Sequence, residues 1–136
     1  QSAIDIEGVG DIVSLAGFVS DAELRDLAGR AACVAIPSLY EPFGIVALEG
    51  MAAGAPMVVA RTGGLAETLD GTGAALMFEP GDHDELARRI VEVVEQPTAA
   101  AALTHAAREL LTDRYSWDAI AAQTLDVYRA ALRRPS

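Results

Sequence analysis

At 136 residues the chain has the length of one compact domain with its own core. It is 51% apolar and 22% charged, with a net charge of −10, a balance that repels phosphate backbones and counts against nucleic-acid binding. No apolar run reaches the roughly 20 residues that span a bilayer, QSAIDIEG at the start has neither half of a secretory signal, and the lone Cys33 excludes an internal disulfide and favours a cytoplasmic setting.

Taken in chain order, strand and helix patterns alternate. DIVSLAGFV, residues 11–19, reads as a strand. Ser20 and Glu23 then fit a capping box opening a helix to about Ala31. CVAIP, residues 33–37, is a short apolar run stopped by Pro37, so a buried strand. Residues 42–54 predict a helix, apolar on nearly every face, with Pro42 in its first turn and Gly54 at its end. PMVVA, residues 56–60, is the next strand; RTGGLAETL is a glycine turn and a short helix; AALMF, residues 74–78, is a fourth strand. Such alternation implies an α/β fold with a Rossmann-like parallel sheet of about four strands, joined by right-handed crossovers and covered by helices on both faces.

The last third reads as helix alone. Asp82 with Glu85 suggests a second capping box, before an apolar face of Leu86, Ile90, Val93 and Val94. Thr98 opens a helix with Leu103, Ala106, Ala107 and Leu110 on one side. Ser116 caps a final helix whose inner face is expected to carry Trp117, Ile120, Thr124, Leu125 and Tyr128, and the tail RRPS reads as frayed. The whole predicts a single domain.

Two carboxylates stand out, Glu41 and Glu49, eight positions apart around an apolar run. Parallel sheets bind ligands beyond the carboxyl ends of their strands, and Glu41 follows the strand at 33–37. The first amides of the next helix, at Phe43, Gly44, Ile45 and Val46, are expected to be free and to form an anion site suited to a phosphate or diphosphate. Gly44 allows close approach. Glu49, expected to be buried, needs partners such as sugar hydroxyls. Eight residues at a rise of ~1.5 Å give about 12 Å along a helix, longer than the ~5 to 9.5 Å between paired glycosidase carboxylates. A long ligand with hydroxyls at both ends and a diphosphate between, a nucleotide sugar, has the matching shape. Read singly, Glu41 is as readily a helix cap, Glu49 a salt-bridged structural residue, and Gly63 with Gly64 only a turn. Arg61 follows a strand and is a further anion candidate. No His/Cys cluster has metal-ligand spacing, and His83 and His105 read as surface residues.

EPFGIVALE resembles the E-x7-E signature of the retaining nucleotide-sugar glycosyltransferases of GT-B fold, family 4 or group 1, which include glycogen and sucrose synthases. VSLAGFVSDAEL, CVAIPSLYEPFGIVALEGMAAGAPMVVARTGGLAET, GAALMFEPGDHDELARRI and YSWDAIAAQTLDVY are similar to that family's blocks, in its order, over residues 11–128. The resemblance implies that Glu41 contacts donor-sugar hydroxyls and stabilises an oxocarbenium-like transition state. It implies that amides near Phe43, Gly44, Ile45 and Val46 hold the diphosphate, that Glu49 binds the ribose, and that Thr62, Gly63 and Gly64 form a cleft loop on the acceptor side. It implies a nucleotide sugar as substrate, no metal or other cofactor, and an acceptor bound through an N-terminal domain.

The resemblance also implies that this sequence is the truncated C-terminal, donor-binding part of a longer enzyme. Two strands, the acceptor domain and a loop bearing Arg and Lys onto the diphosphate are expected upstream, and the chain has no Lys at all. It is therefore expected to be inactive alone. The strand within residues 11–19 is expected either to pair with residues 33–37 or to leave an edge through which two chains pair. A non-catalytic nucleotide-sugar-binding or assembly module, and a GT-B nucleotide-sugar epimerase, stand as alternatives.

Overall fold

β-branched side chains in residues 56–60 favour a strand. In the computed structural model of the chain, which describes residues 3–133, they form the centre of a three-stranded parallel sheet. β1 (Val34–Ile36) pairs with β2 (Met57–Ala60), Val34 opposite Met57 and Ile36 opposite Val59. β3 (Leu76–Phe78) takes the other side of β2, Val58 opposite Leu76 and Ala60 opposite Phe78.

All four residues of β2 are buried, and alternation sends them to two faces. Met57 and Val59 pack with Ile36, with Ala47 and Met51 of α3 (Ile45–Ala52), and with Leu65 and Leu69 of α4 (Gly63–Leu69). Val58 and Ala60 pack with Phe78, with Val93 of α5 (His83–Glu95), and with Leu103 of α6 (Pro97–Leu110). Ala107 and Leu110, one and two turns further along α6, return to the first face. Each fully buried Val, Leu or Met contributes about 1.5–3 kcal/mol relative to exposure. The two-sided core thus rests on one four-residue strand.

α2 (Asp21–Arg30) begins as the sequence predicts. Ser20 accepts from the Glu23 amide, and Glu23 accepts in return from the Ser20 amide. That bond from the Ser20 amide, and then the Ser20 hydroxyl, lower the Glu23 pKa. Asp82 caps α5 through the Glu85 amide, and Ser116 caps α7 (Trp117–Leu132) through the Ala119 amide. A short helix α1 (Ala3–Glu7) and a π-helical segment (Leu111–Tyr115) joining α6 to α7 were not legible in the sequence pattern. The tail beyond Arg133 lies outside the described residues.

Several expectations are corrected. The sheet has three strands, not four, because residues 11–19 form turn and irregular backbone. Ile12, Val13, Leu15 and Phe18 are exposed, Phe18 completely, and the Ile12 and Val13 amides bond back to the Val9 carbonyl. Strand-like composition forms a strand only where a neighbour completes the ladder, and this segment does not pair with β1. The helix at 42–54 is shorter, Ile45–Ala52, because its N-cap Gly44 is left-handed at φ 73°. It is also not buried all round: Ala47, Gly50 and Met51 are buried, while Ile45, Val46 and Glu49 are exposed. The inner face of α7 is likewise uncovered among the described residues, with Trp117 85% and Tyr128 64% exposed. Finally, Val94 of α5 is exposed, although Leu86 and Ile90 do pack on the core.

Candidate active site

Parallel pairing makes β1, β2 and β3 end on the same side of the sheet, so the segments that follow them meet there. After β1 come Leu39, Tyr40 and Glu41; after β2 come Arg61, Thr62, Gly63 and Gly64; after β3 comes Glu79.

Glu41 lies three residues before the N-cap of α3. Its carboxylate turns back over the turn, Oε1 accepting from the Gly44 amide at 3.2 Å and the Phe43 amide at 3.4 Å. Those two amides are therefore not free, contrary to expectation. A carboxylate two and three residues upstream can reach them, and an anion is favoured at a helix N-terminus. The amides of Ile45 and Val46 meet no acceptor among the described residues, while the Ala47 amide already bonds the Gly44 carbonyl at 3.0 Å. Oε1 of Glu41 is thus tied to the main chain at the turn that leads into two open amides. Phe43 is 73% exposed beside this turn.

The loop after β2 is pressed against the Glu41 turn. The Gly64 amide donates to the Glu41 carbonyl at 2.7 Å, and the Thr62 hydroxyl donates to the Leu39 carbonyl at 3.2 Å. A Cβ on Gly64 would lie 2.6 Å from Phe43 Cα and 2.8 Å from its nitrogen, and one on Gly44 would lie 2.9 Å from the Gly64 oxygen. A Cβ on Gly63 would run into the Glu41 carbonyl oxygen. Glycines here let two backbones touch. Gly63 and Gly64 meet the Glu41 turn as backbone, and Thr62 meets it through its hydroxyl.

Glu49 is the fifth residue of α3. It lines a concavity of about 310 Å³ between α2 and α3, together with Leu24, Arg25, Val34 and Val46. The site is therefore two neighbouring places. One is Glu41 with the α3 amides, and the other is an apolar hollow edged by Glu49 and Arg25. Arg61, the anion candidate, is already engaged: its guanidinium pairs with Asp70 and lies 3.4 Å from Glu79. Among the described residues no group of three His, Cys, Asp or Glu is placed to hold a metal ion, and no helix is long and apolar enough to cross a membrane.

The family profile described as "Glycosyl transferases group 1" matches residues 1–126. The chain belongs to that family. Among curated proteins, this group 1 chain is 38% identical to an MMP alpha-(1->4)-mannosyltransferase from Mycolicibacterium hassiacum, covering 93% of its own length and 31% of that protein. It is 40% identical to a glycogen synthase from Mycobacterium tuberculosis, over 86% of its length and 28% of that protein. The chain thus spans about a third of the relatives it matches. Among solved structures it is similar to sucrose-phosphate synthase from Thermosynechococcus elongatus, with a TM-score of 0.81 and 32% identity, over 95% of this chain and 32% of that one. It is also similar to Anabaena HepE in complex with UDP-glucose, with a TM-score of 0.79 and 28% identity, over 93% and 35%. These neighbours are GT-B enzymes, and the α/β class read from the sequence holds.

Sequence reasoning singled out the two glutamates and the glycine loop that meet at this end of the sheet, and placed the start of α3 three residues too early. It missed the Thr62–Leu39 bond, the double pairing of Arg61 and the hollow beside Glu49. No local pattern signals any of them. Each joins segments that are apart in sequence and are brought together by strand order.

Proposed function

We propose that the chain is the donor-binding part of a retaining glycosyltransferase that moves a sugar from a nucleoside-diphosphate donor to an acceptor. The carrying observation is the pair of open amides at Ile45 and Val46, set beside a fixed Glu41 carboxylate at the carboxyl end of a parallel sheet. In this reading the diphosphate lies on those amides. As the bond from the anomeric carbon to the diphosphate oxygen breaks, the electron pair passes to an oxygen that faces the positive end of α3. Glu41, held through Oε1, keeps Oε2 for the sugar hydroxyls and for positive charge developing on the ring. Phe43 and Gly44 shape the approach, Glu49 takes the ribose hydroxyls, and the apolar hollow beside it takes the base. Thr62, Gly63 and Gly64 border the acceptor side.

The reading includes no metal: the helix terminus stabilises the negative charge that develops on the leaving diphosphate. That the solved HepE complex contains UDP-glucose supports a nucleotide sugar as the ligand class. The acceptor belongs to a further domain of the parent enzyme, which we place in the cytoplasm. This chain alone binds donor weakly and does not turn it over.

The test is a titration of the chain with UDP-glucose, ADP-glucose and GDP-mannose, followed by amide NMR. The expected result is a set of shifts at Ile45, Val46 and Glu49 with one of the three, without nucleotide release. Sugar-nucleotide shifts confined elsewhere would sink the site. Release by the chain alone would refute its inactivity, and release together with isomerised donor would favour an epimerase.

We also propose that β1, whose second edge is unpaired among the described residues, joins two copies of the isolated chain. Sedimentation should then show a concentration-dependent dimer that is lost on substituting Ala35→Pro in the edge strand. A monomer at all concentrations overturns this.

A further inference from the structure

We propose that Thr62 is a positioning residue for Glu41, and that Arg61 anchors it in place. The inference rests on the role given to Glu41 above. A threonine preceding a helix ordinarily turns its hydroxyl onto an amide of the first turn. Thr62 is the N-cap of α4 and makes no such bond. The Leu65 and Ala66 amides are received by its carbonyl instead. Its hydroxyl is spent across the site, donating to the Leu39 carbonyl at 3.2 Å, two residues before Glu41.

The Gly64 amide then bonds the carbonyl of Glu41 itself, at 2.7 Å. Two donors from one loop, two residues apart, therefore grip two acceptors on the other loop, also two residues apart. With Oε1 on the Phe43 and Gly44 amides, the main chain is fixed before, at and after Glu41. Without the Thr62 hydroxyl the segment before Glu41 is released and the residue can pivot.

Arg61 holds the gripping loop. Its amide donates to the Phe78 carbonyl at 2.8 Å, and its guanidinium joins Asp70, the C-cap of α4, and Glu79 just after β3. Exposed ion pairs add little to stability. The value of this one is geometric: one side chain ties the exit of β2 to the far end of α4 and the exit of β3. The same two carboxylates engage Arg61, so its charge is not offered to a diphosphate.

The test uses the parent glycosyltransferase that carries this chain, and the chain itself. Thr62→Val keeps the shape and removes the hydroxyl. The expected result is a kcat about tenfold lower, since small misplacements of a reacting group are costly, with donor KM changed less than about twofold. Thr62→Ser should restore kcat. In the isolated chain, Thr62→Val should quicken hydrogen exchange at the Gly64 amide by about tenfold. Arg61→Met, at a half-exposed position, should lower kcat in the same direction and serves if Thr62→Val does not fold.

Unchanged kcat in these variants overturns the proposal, as does unchanged exchange at Gly64 or a failure of Thr62→Ser to restore. A Glu41→Gln control separates the two readings. If it too leaves turnover intact, the role of Glu41 falls. If it stops turnover while Thr62→Val and Arg61→Met do not, only the positioning role falls.

Discussion

Replacing Gly64 with alanine should destabilise the chain by about 3 kcal/mol, at the upper end of ordinary overpacking costs. The added methyl would sit 2.6 Å from Phe43 Cα and 2.8 Å from its nitrogen, and these are backbone atoms that no rotamer change can move. Relief requires the β2–α4 loop to withdraw, which breaks the Gly64–Glu41 bond and draws buried Leu65 with it. Gly81→Ala is the contrasting control. Gly81 has open space around it but a φ of 85°, so its cost is that of left-handed backbone alone, about 1–2 kcal/mol. Urea unfolding of both variants measures the difference. If Gly64→Ala costs no more than Gly81→Ala, the two loops are not pressed together. At about 2–4 °C per kcal/mol the expected fall in Tm for Gly64→Ala is about 10 °C.

The same junction shows which parts of the molecule local sequence can encode. β2 was legible because burial on both faces leaves a run with no polar position, and because Pro56 and the Arg61–Gly64 turn bound it. The caps at Ser20, Asp82 and Ser116 were legible because each bond spans three residues. Glu41 and Glu49 stood out as carboxylates around an apolar run, and that contrast needs no knowledge of the fold. What failed depends on neighbours. Residues 11–19 have strand composition, yet whether they form a strand is decided by a partner, and β1 does not supply one. Trp117, Ile120 and Tyr128 share one side of α7, and periodicity identifies the side without identifying what covers it. The apolar composition of α3 suggested burial on every face, but Ile45 and Val46 lie at its first turn beside the site, where packing ends. The Glu41 carboxylate on the Phe43 and Gly44 amides could not be read either. It required knowing that the helix starts at Ile45 rather than Pro42, a difference set by the left-handed Gly44.

Glu41→Gln should lower the kcat of the parent enzyme by about 10²- to 10³-fold, the size seen when one preorganised electrostatic group is removed from a reacting centre. The substitution is chosen for what it preserves. A Gln carbonyl oxygen can still accept from the Phe43 and Gly44 amides, as Oε1 does now at 3.4 and 3.2 Å, so the turn before α3 keeps its geometry. What disappears is the negative charge beside the place where the sugar ring becomes positive. Because that charge develops only in the transition state, the loss should fall on kcat and leave donor KM within about threefold. Glu49→Gln should divide the other way. Glu49 lies about one turn further along α3, in the hollow between α2 and α3, and makes none of the bonds that hold the Glu41 turn, so its loss should weaken donor binding and raise KM with kcat little changed. Steady-state kinetics of the two variants at saturating and limiting donor separate these effects. A Glu41→Gln enzyme with near-normal kcat would reduce Glu41 to a cap on α3, the role its two amide bonds already fill.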